Sequence, residues 1–288
     1  LGILIFIFGL AIFDLIIGVS NDAVNFLNSA VGTKTASYKV ILGLAAIGVF
    51  FGAATSNGMM DVARHGIFQP QYFTFVEIMC ILMAVMVTDV ILLDTFNSLG
   101  MPTSTTVSLV FELLGGTVAL AMIKSIASEG ALTFGEMINT DKVLTVVLGI
   151  FLSIAIAFFF GLLIQWITRV IFTFNYKRNL KWFAGIFGGI ATTAIIYFML
   201  FKGLKDSSFM TPENKQWINE NTGQLLVYVF LGSGVLMQIL HWCKVNIFKI
   251  VVLMGTFSLA MAFAGNDLVN FIGIPLTSLA TYQDYMAN

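Results

Sequence analysis

Two short polar islands interrupt the apolar runs of this sequence, and they are nearly the same island. Asn21-Asp22-Ala23-Val24-Asn25-Phe26 returns 245 positions later as Asn266-Asp267-Leu268-Val269-Asn270-Phe271, with Asn, Asp, Val, Asn and Phe recurring in register. Small residues precede each copy, Gly18 and Ser20 in the first and Ala264 and Gly265 in the second. Positions three and four apart share a helix face, so Asp22 and Asn25 can converge, as can Asp267 and Asn270. Carboxylate, amide and exposed backbone oxygens together suit a hard cation. Asp22, Asp267, Asn25 and Asn270 are therefore expected to bind cations, and Asp14, which has only Leu259 at the equivalent offset, is a secondary cation or packing candidate. A pair of hydrogen-bonded helix caps is the plainer reading, and the duplication weighs against it.

A third island is Gly100-Met101-Pro102-Thr103-Ser104-Thr105-Thr106. Proline can open a helix while breaking whatever precedes it. The hydroxyls of Thr103, Ser104, Thr105 and Thr106 would then lie over a first turn whose N–H groups lack helical partners. An N-cap cluster is one reading. With the repeated Asn-Asp island beside it, a broken or re-entrant helix whose positive end faces an anion is the stronger one. Asn21, Asn25, Asn266 and Asn270 are expected to add amide donors to that anion site.

The elements that must hold these groups are membrane helices. Of 288 residues 58% are hydrophobic and 10% charged, against about 25% charged in soluble domains. Mean hydropathy is +0.95, so lipid is the expected solvent, because a soluble protein must cover its outside with polar groups. A hydrocarbon core takes roughly twenty apolar residues as helix. Candidate spans are Leu1–Val19, Val40–Ser56, Phe73–Leu93, Val107–Ile123, Val143–Thr168, Trp182–Phe201, Leu225–Trp242 and Ile247–Ala264. None shows the in–out alternation of a barrel, so the fold class is all-α, a polytopic membrane protein. The abrupt apolar start at Leu1 suggests a piece of a longer chain.

Charge sets an orientation and excludes partners. Alternate connections carry Lys34 and Lys39, then Arg169, Lys177, Arg178 and Lys181, then Lys244 and Lys249, with no acid among them. These are expected on the cytoplasmic side. The mixed, acid-rich set includes Gly203–Gly223, expected as an external loop with some short helix. The two Asn-Asp islands then enter the membrane from opposite sides, as an inverted-topology repeat requires. Residues 1–168 read as the first repeat, 169–246 as connecting spans and loops, and 247–288 as the start of the second. A net charge of −1 leaves no basic stripe for nucleic acid. Cys80 and Cys243 form no CxxC pair, and His65 and His241 are too far apart in sequence to suggest a metal site. With no nucleophile–base pair or His-rich centre, an enzyme is not expected, nor is any organic cofactor.

Taken together, Asn21-Asp22-x-x-Asn25, its copy Asn266-Asp267-x-x-Asn270, and Pro102-Thr-Ser-Thr-Thr106 resemble the motifs of the PiT-type inorganic phosphate transporter family. Asp61–Ile67, with Arg64 and Gly66, is similar to that family's segment after its second helix. The resemblance covers 1–123 and 247–278, while the middle matches in hydropathy alone. It implies a multi-pass cell-membrane carrier that moves inorganic phosphate with cations, sodium ahead of protons, in a lipid bilayer and compatible with a homodimer. Three departures stand out. Val19-Ser20 and Ala264-Gly265 replace the usual Gly-Ala, Gly48 stands about where many members carry an acid, and a second Pro-x-Ser-Thr-Thr is absent before Asn288, so the second half is expected to be truncated.

The charge inventory points the same way. No Lys or Arg is expected well inside a span, so helix ends, hydroxyls and amides must hold the anion while cations screen it from Asp22 and Asp267. Moving a dianion into a cell at about −100 mV costs about 4.6 kcal/mol. Two monovalent cations cancel that term, and a third drives uptake. An anion channel, or a carrier for another oxyanion such as sulfate, is the alternative.

Overall fold

The computed structural model describes residues 1–55, 67–128, 134–172, 176–200 and 210–287. The elements in chain order are α1 (Gly2–Gly32), α2 (Tyr38–Thr55), a 3-10 turn (Pro70–Tyr72), α3 (Phe75–Ser98), α4 (Thr105–Ala127), a short α5 (Phe134–Met137), α6 (Thr140–Ile171), α7 (Tyr176–Phe198), α8 (Pro212–Trp242) and α9 (Ile247–Ala287). No strand occurs among the described residues. Eight of these helices are long and apolar enough to cross a membrane. Side chains on α6 such as Phe151, Phe158 and Trp166 stay exposed, as lipid-facing positions do.

Three boundaries differ from the hydropathy reading. Helix α1 runs unbroken through the Asn21 island to Gly32, because Asn21 turns its amide sideways and leaves the backbone ladder alone. Helix α8 begins at Pro212, well before Leu225, so the soluble-looking stretch supplies its first turns. Thr211 caps it, Pro212 fills the first position and Glu213 sits in the first turn, which are the residues a helix start favours. Helix α9 continues past Ala264 to Ala287, with Pro275 inside it. Residues 61–66 of the Asp61–Ile67 segment and 203–209 of the Gly203–Gly223 stretch lie outside the described residues.

Helix ends follow local chemistry. At the end of α3, Gly100 takes φ +68°, while its N–H bonds the Asn97 carbonyl at 3.0 Å and that of Met101 bonds Phe96 at 2.9 Å. This paired closure needs a left-handed residue, for which glycine is cheapest. Lys34 and Lys244 close α1 and α8 the same way, with φ 50° and 63°, and set a cation against the negative helix end.

The chain forms two compact units. The first comprises Leu1–Asn25, Gly58–Ser153 and Asp267–Asn288. Its core includes Ile7, Leu82, Val85, Met86, Leu113 and Ile274. Here α3 and α4 are fastened by Lys124, whose Nζ lies 2.7 Å from Glu77 Oε2 and 2.6 Å from the Tyr72 carbonyl. Glu77 also closes a capping box with Thr74. Strand-like pairing of Phe68 with Ile138 ties two connections together.

The second unit comprises Phe26–Asn57 and Ile154–Asn266. Helices α7 and α8 pack closely there, with Gly185, Gly188 and Gly189 admitting Gly234, Met237 and Phe230. Gly48 and Gly52 of α2 let the α9 backbone approach at Phe257 and Met261, where a Cβ would collide with a carbonyl oxygen. An edge-to-face triad of Phe172, Phe187 and Phe248 completes its packing.

Candidate functional site

Of the residues singled out in the sequence, Asp14, Asn21, Asp22, Asn25, Thr103 to Thr106, Asp267 and Asn270 fall in the first unit, on α1, the turn into α4 and the last part of α9, while Asn266 ends the second. The two islands approach through Gly18 and Phe271. A Cβ at Gly18 would overlap the Phe271 ring, and that ring is 1% exposed. The absent side chain at Gly18 makes room for the phenylalanine of the second island.

Asn21 is 3% exposed and fully engaged. Its Nδ2 donates to Asn97 Oδ1 at 2.9 Å and to the Met101 carbonyl at 3.1 Å. Its Oδ1 accepts from the Thr103 N–H at 2.8 Å. Asn97 in turn donates to the Ile17 carbonyl at 2.9 Å. One buried amide thus clamps the Leu99–Ser104 connection against α1. Sequence reasoning missed Asn97, which carries no motif of its own. The hint was its position three residues before Gly100, within reach of any polar group facing the break.

Helix α4 starts at Thr105, later than Pro102 suggests, because Ser104 is the cap: its Oγ accepts the Val107 N–H at 3.4 Å. Pro102 keeps the preceding residue extended and sets up this entry. Thr103 lies in the connection, Ser104 is exposed, Thr105 is buried and Thr106 half-buried. Thr106 Oγ1 donates to Asp267 Oδ1 at 3.0 Å, joining the third island to the second.

Asp22 is 1% exposed, its Oδ2 accepts no hydrogen bond, and it lies within electrostatic reach of Asp267. Asn25 is exposed. The side chains of Asn266 and Asn270 lie outside the described residues. Asp14 is fully buried and faces Asp89 rather than the Asn-Asp islands. No lysine or arginine pairs with Asp14, Asp22, Asp89 or Glu112 among the described residues. Buried carboxylates without basic partners cost several kcal/mol each, so an arrangement like this one suits small cations. The turn at Thr103–Thr106 beside it offers hydroxyls and a positive helix end to an anion.

Known proteins resemble the chain in both sequence and fold. A family model described as "Phosphate transporter family" matches residues 18–288. No curated protein matches the sequence. Among solved structures, one described as "The sodium-dependent phosphate transporter" superposes with a TM-score of 0.66 at 17% identity, covering 98% of this chain and 68% of that one. The two share the fold.

Proposed function

Because the chain belongs to the phosphate transporter family, a family of transporters and not of enzymes, we propose that it carries inorganic phosphate across the cell membrane in symport with cations, sodium foremost. The observation that carries this reading is the meeting of Asp22, Asp267 and the Thr103–Thr106 turn in one unit. A carboxylate pair and an anion-friendly helix start side by side would repel a bare dianion, and become a phosphate site once cations are bound between them. The structural neighbour is named as sodium-dependent, which supports that ion over the proton. Thr103 to Thr106 and the island amides would hold the phosphate, with Asp22, Asp267, Asn25 and Asn270 on the cations. The bound Asn21 amide also positions the turn. The duplicated islands support an inverted repeat, with 1–168 as the first copy, 169–246 as the connection and 247–288 as the start of the second.

Proteoliposomes containing the chain and loaded with defined ions test this directly. Labelled phosphate uptake should saturate, should need an inward sodium gradient, and should resist competition by excess sulfate. Uptake that is linear in phosphate and indifferent to the gradient would mean a channel. Sulfate displacing phosphate at equal concentration would mean a broader oxyanion carrier.

A further inference from the structure

A cavity of about 680 Å³ opens in the first unit, away from the Asn-Asp islands. It lies between the start of α3, with the connection that leads into it, and the last turns of α9. Fourteen residues of α9 separate Asp267 from Thr281 on the cavity wall, about 21 Å at 1.5 Å per residue. Its volume is that of a small-molecule site, typically about 300–1,000 Å³.

The walls are largely aromatic. Phe75 stacks on Tyr285 with ring centroids 4.2 Å apart, and Phe68 meets Phe73 edge to face at 5.8 Å. Along α9 the wall passes from Thr277, 4% exposed, to Asp284 and Tyr285, both exposed. Those seven residues make about 10 Å of helix between a dry inner end and a wet mouth. Two features of this wall point to a ligand. Thr277 Oγ1 is buried and has no hydrogen-bond partner, which is costly for a hydroxyl. At the mouth stands the Asp284 carboxylate, and no lysine or arginine lines the cavity among the described residues. Lys124, 5.4 Å from the centre of the Phe73 ring, is matched by Glu77 at 2.7 Å and adds no net charge.

Helix α3 is one of the membrane-crossing helices and starts here, so the mouth lies at the membrane edge. Tyrosine collects at that level, with one end apolar and the other wet. The molecules that stand there in number are lipids, and the charge on the wall selects among them. An ammonium group is drawn to Asp284 and to aromatic faces, whereas a purely anionic headgroup is repelled by the acid. A lipid with its ammonium at Asp284 carries its ester carbonyls deeper, toward the Thr277 hydroxyl, and its chains on into the bilayer. We propose that this cavity binds the headgroup of a zwitterionic phospholipid, with its ammonium at Asp284 and an ester carbonyl accepting from Thr277.

Native mass spectrometry of the purified full chain tests this without any transport. Phosphatidylethanolamine and phosphatidylglycerol are titrated separately, and the lipid retained per chain is counted. The expected result is one tightly held phosphatidylethanolamine and weaker, graded retention of phosphatidylglycerol. Asp284→Asn should weaken the first lipid by up to about fivefold and Thr277→Val by about two- to tenfold, with phosphatidylglycerol unchanged in Thr277→Val. Ala280→Phe, which fills the cavity, should abolish the tight binding. Should Ala280→Phe not fold, the other two variants decide. Equal retention of both lipids by the unaltered chain, or full affinity in the variants, overturns the site. Displacement of the lipid by free ethanolamine at equal concentration overturns it too, because the cavity would then serve a soluble amine. The outcome stands whether or not the chain transports phosphate.

Discussion

Thr106 donates its hydroxyl to the Asp267 carboxylate at 3.0 Å, across 161 residues of sequence. The bond ties the first turn of α4 to the second Asn-Asp island, so a change in the charge on Asp267 is felt at the turn proposed to hold phosphate. Hydrogen bonds to charged groups contribute about 1.5–3 kcal/mol. Thr106→Val keeps the shape and removes the donor. Phosphate and sodium affinities, read from uptake curves, should both weaken by roughly 10- to 150-fold on that figure, and Thr106→Ser should restore most of the loss. Normal curves in Thr106→Val would separate the two islands functionally.

Asn21 makes a different prediction because all its polar atoms already have partners. Asn21→Ala leaves Asn97, the Met101 carbonyl and the Thr103 N–H short of a bond each. One unsatisfied buried group costs about 1–3 kcal/mol. The variant should therefore lose thermal stability in detergent as well as transport. Asn21→Asp should also fail, since a carboxylate cannot donate to Asn97 and Met101. A stable Asn21→Ala protein with altered phosphate affinity alone would make Asn21 a ligand and not a clamp.

Packing of the islands rests on Gly18. A methyl group there meets the Phe271 ring, and overpacking costs about 1–3 kcal/mol. Gly18→Ala should lower the unfolding midpoint, and Phe271→Leu, which opens the space, should recover part of that loss in the double variant. Additive effects in this cycle would show that the two residues do not share a space.

Hydropathy made the eight spans legible, and the matched spacing of Asn, Asp and Asn singled out both islands. The turn at Thr103–Thr106 was legible too, from Pro102 and four hydroxyls. What sequence could not show is where side chains turn. Asn21 read as a helix cap or a ligand, yet the backbone runs straight through it and its amide reaches sideways to Asn97. Asp89 and Glu112 belong to no motif, and their nearness to Asp14 depends on how three helices are rotated about their axes. The early start of α8 was hidden by its polar composition: capping residues at Thr211–Glu213 determine it, and hydropathy is blind to caps.

Orientation rests on charge alone and has a direct check. Cys80 and Cys243 are exposed free thiols, so they are first replaced by serine. Single cysteines are then placed at Ser37, between α1 and α2, and at Glu213, in the first turn of α8. Both positions are exposed. A membrane-impermeant thiol reagent added to intact cells should label Glu213→Cys and spare Ser37→Cys until the membrane is opened. The reverse pattern would invert the assignment.

Neutralising the central acids asks most of the proposal. Asp22 is buried with an oxygen that accepts nothing, and Asp267 lies within its electrostatic reach. Two nearby carboxylates repel, so neither is placed there for stability. Asp22→Asn and Asp267→Asn preserve size while deleting charge, and both variants should fold at least as well as the unaltered chain. Removing the charge also removes the reason for sodium to bind. Uptake of labelled phosphate should then lose its sodium dependence, its rate, or both, and each variant should bind fewer sodium ions at equilibrium. Bound sodium counted by radioisotope, beside uptake from the same preparation, separates a lost ion site from a damaged protein. If either variant folds, binds the full complement of sodium and transports with ordinary sodium dependence, that aspartate returns to the role of a buried helix residue, and the cation site must be built from other groups.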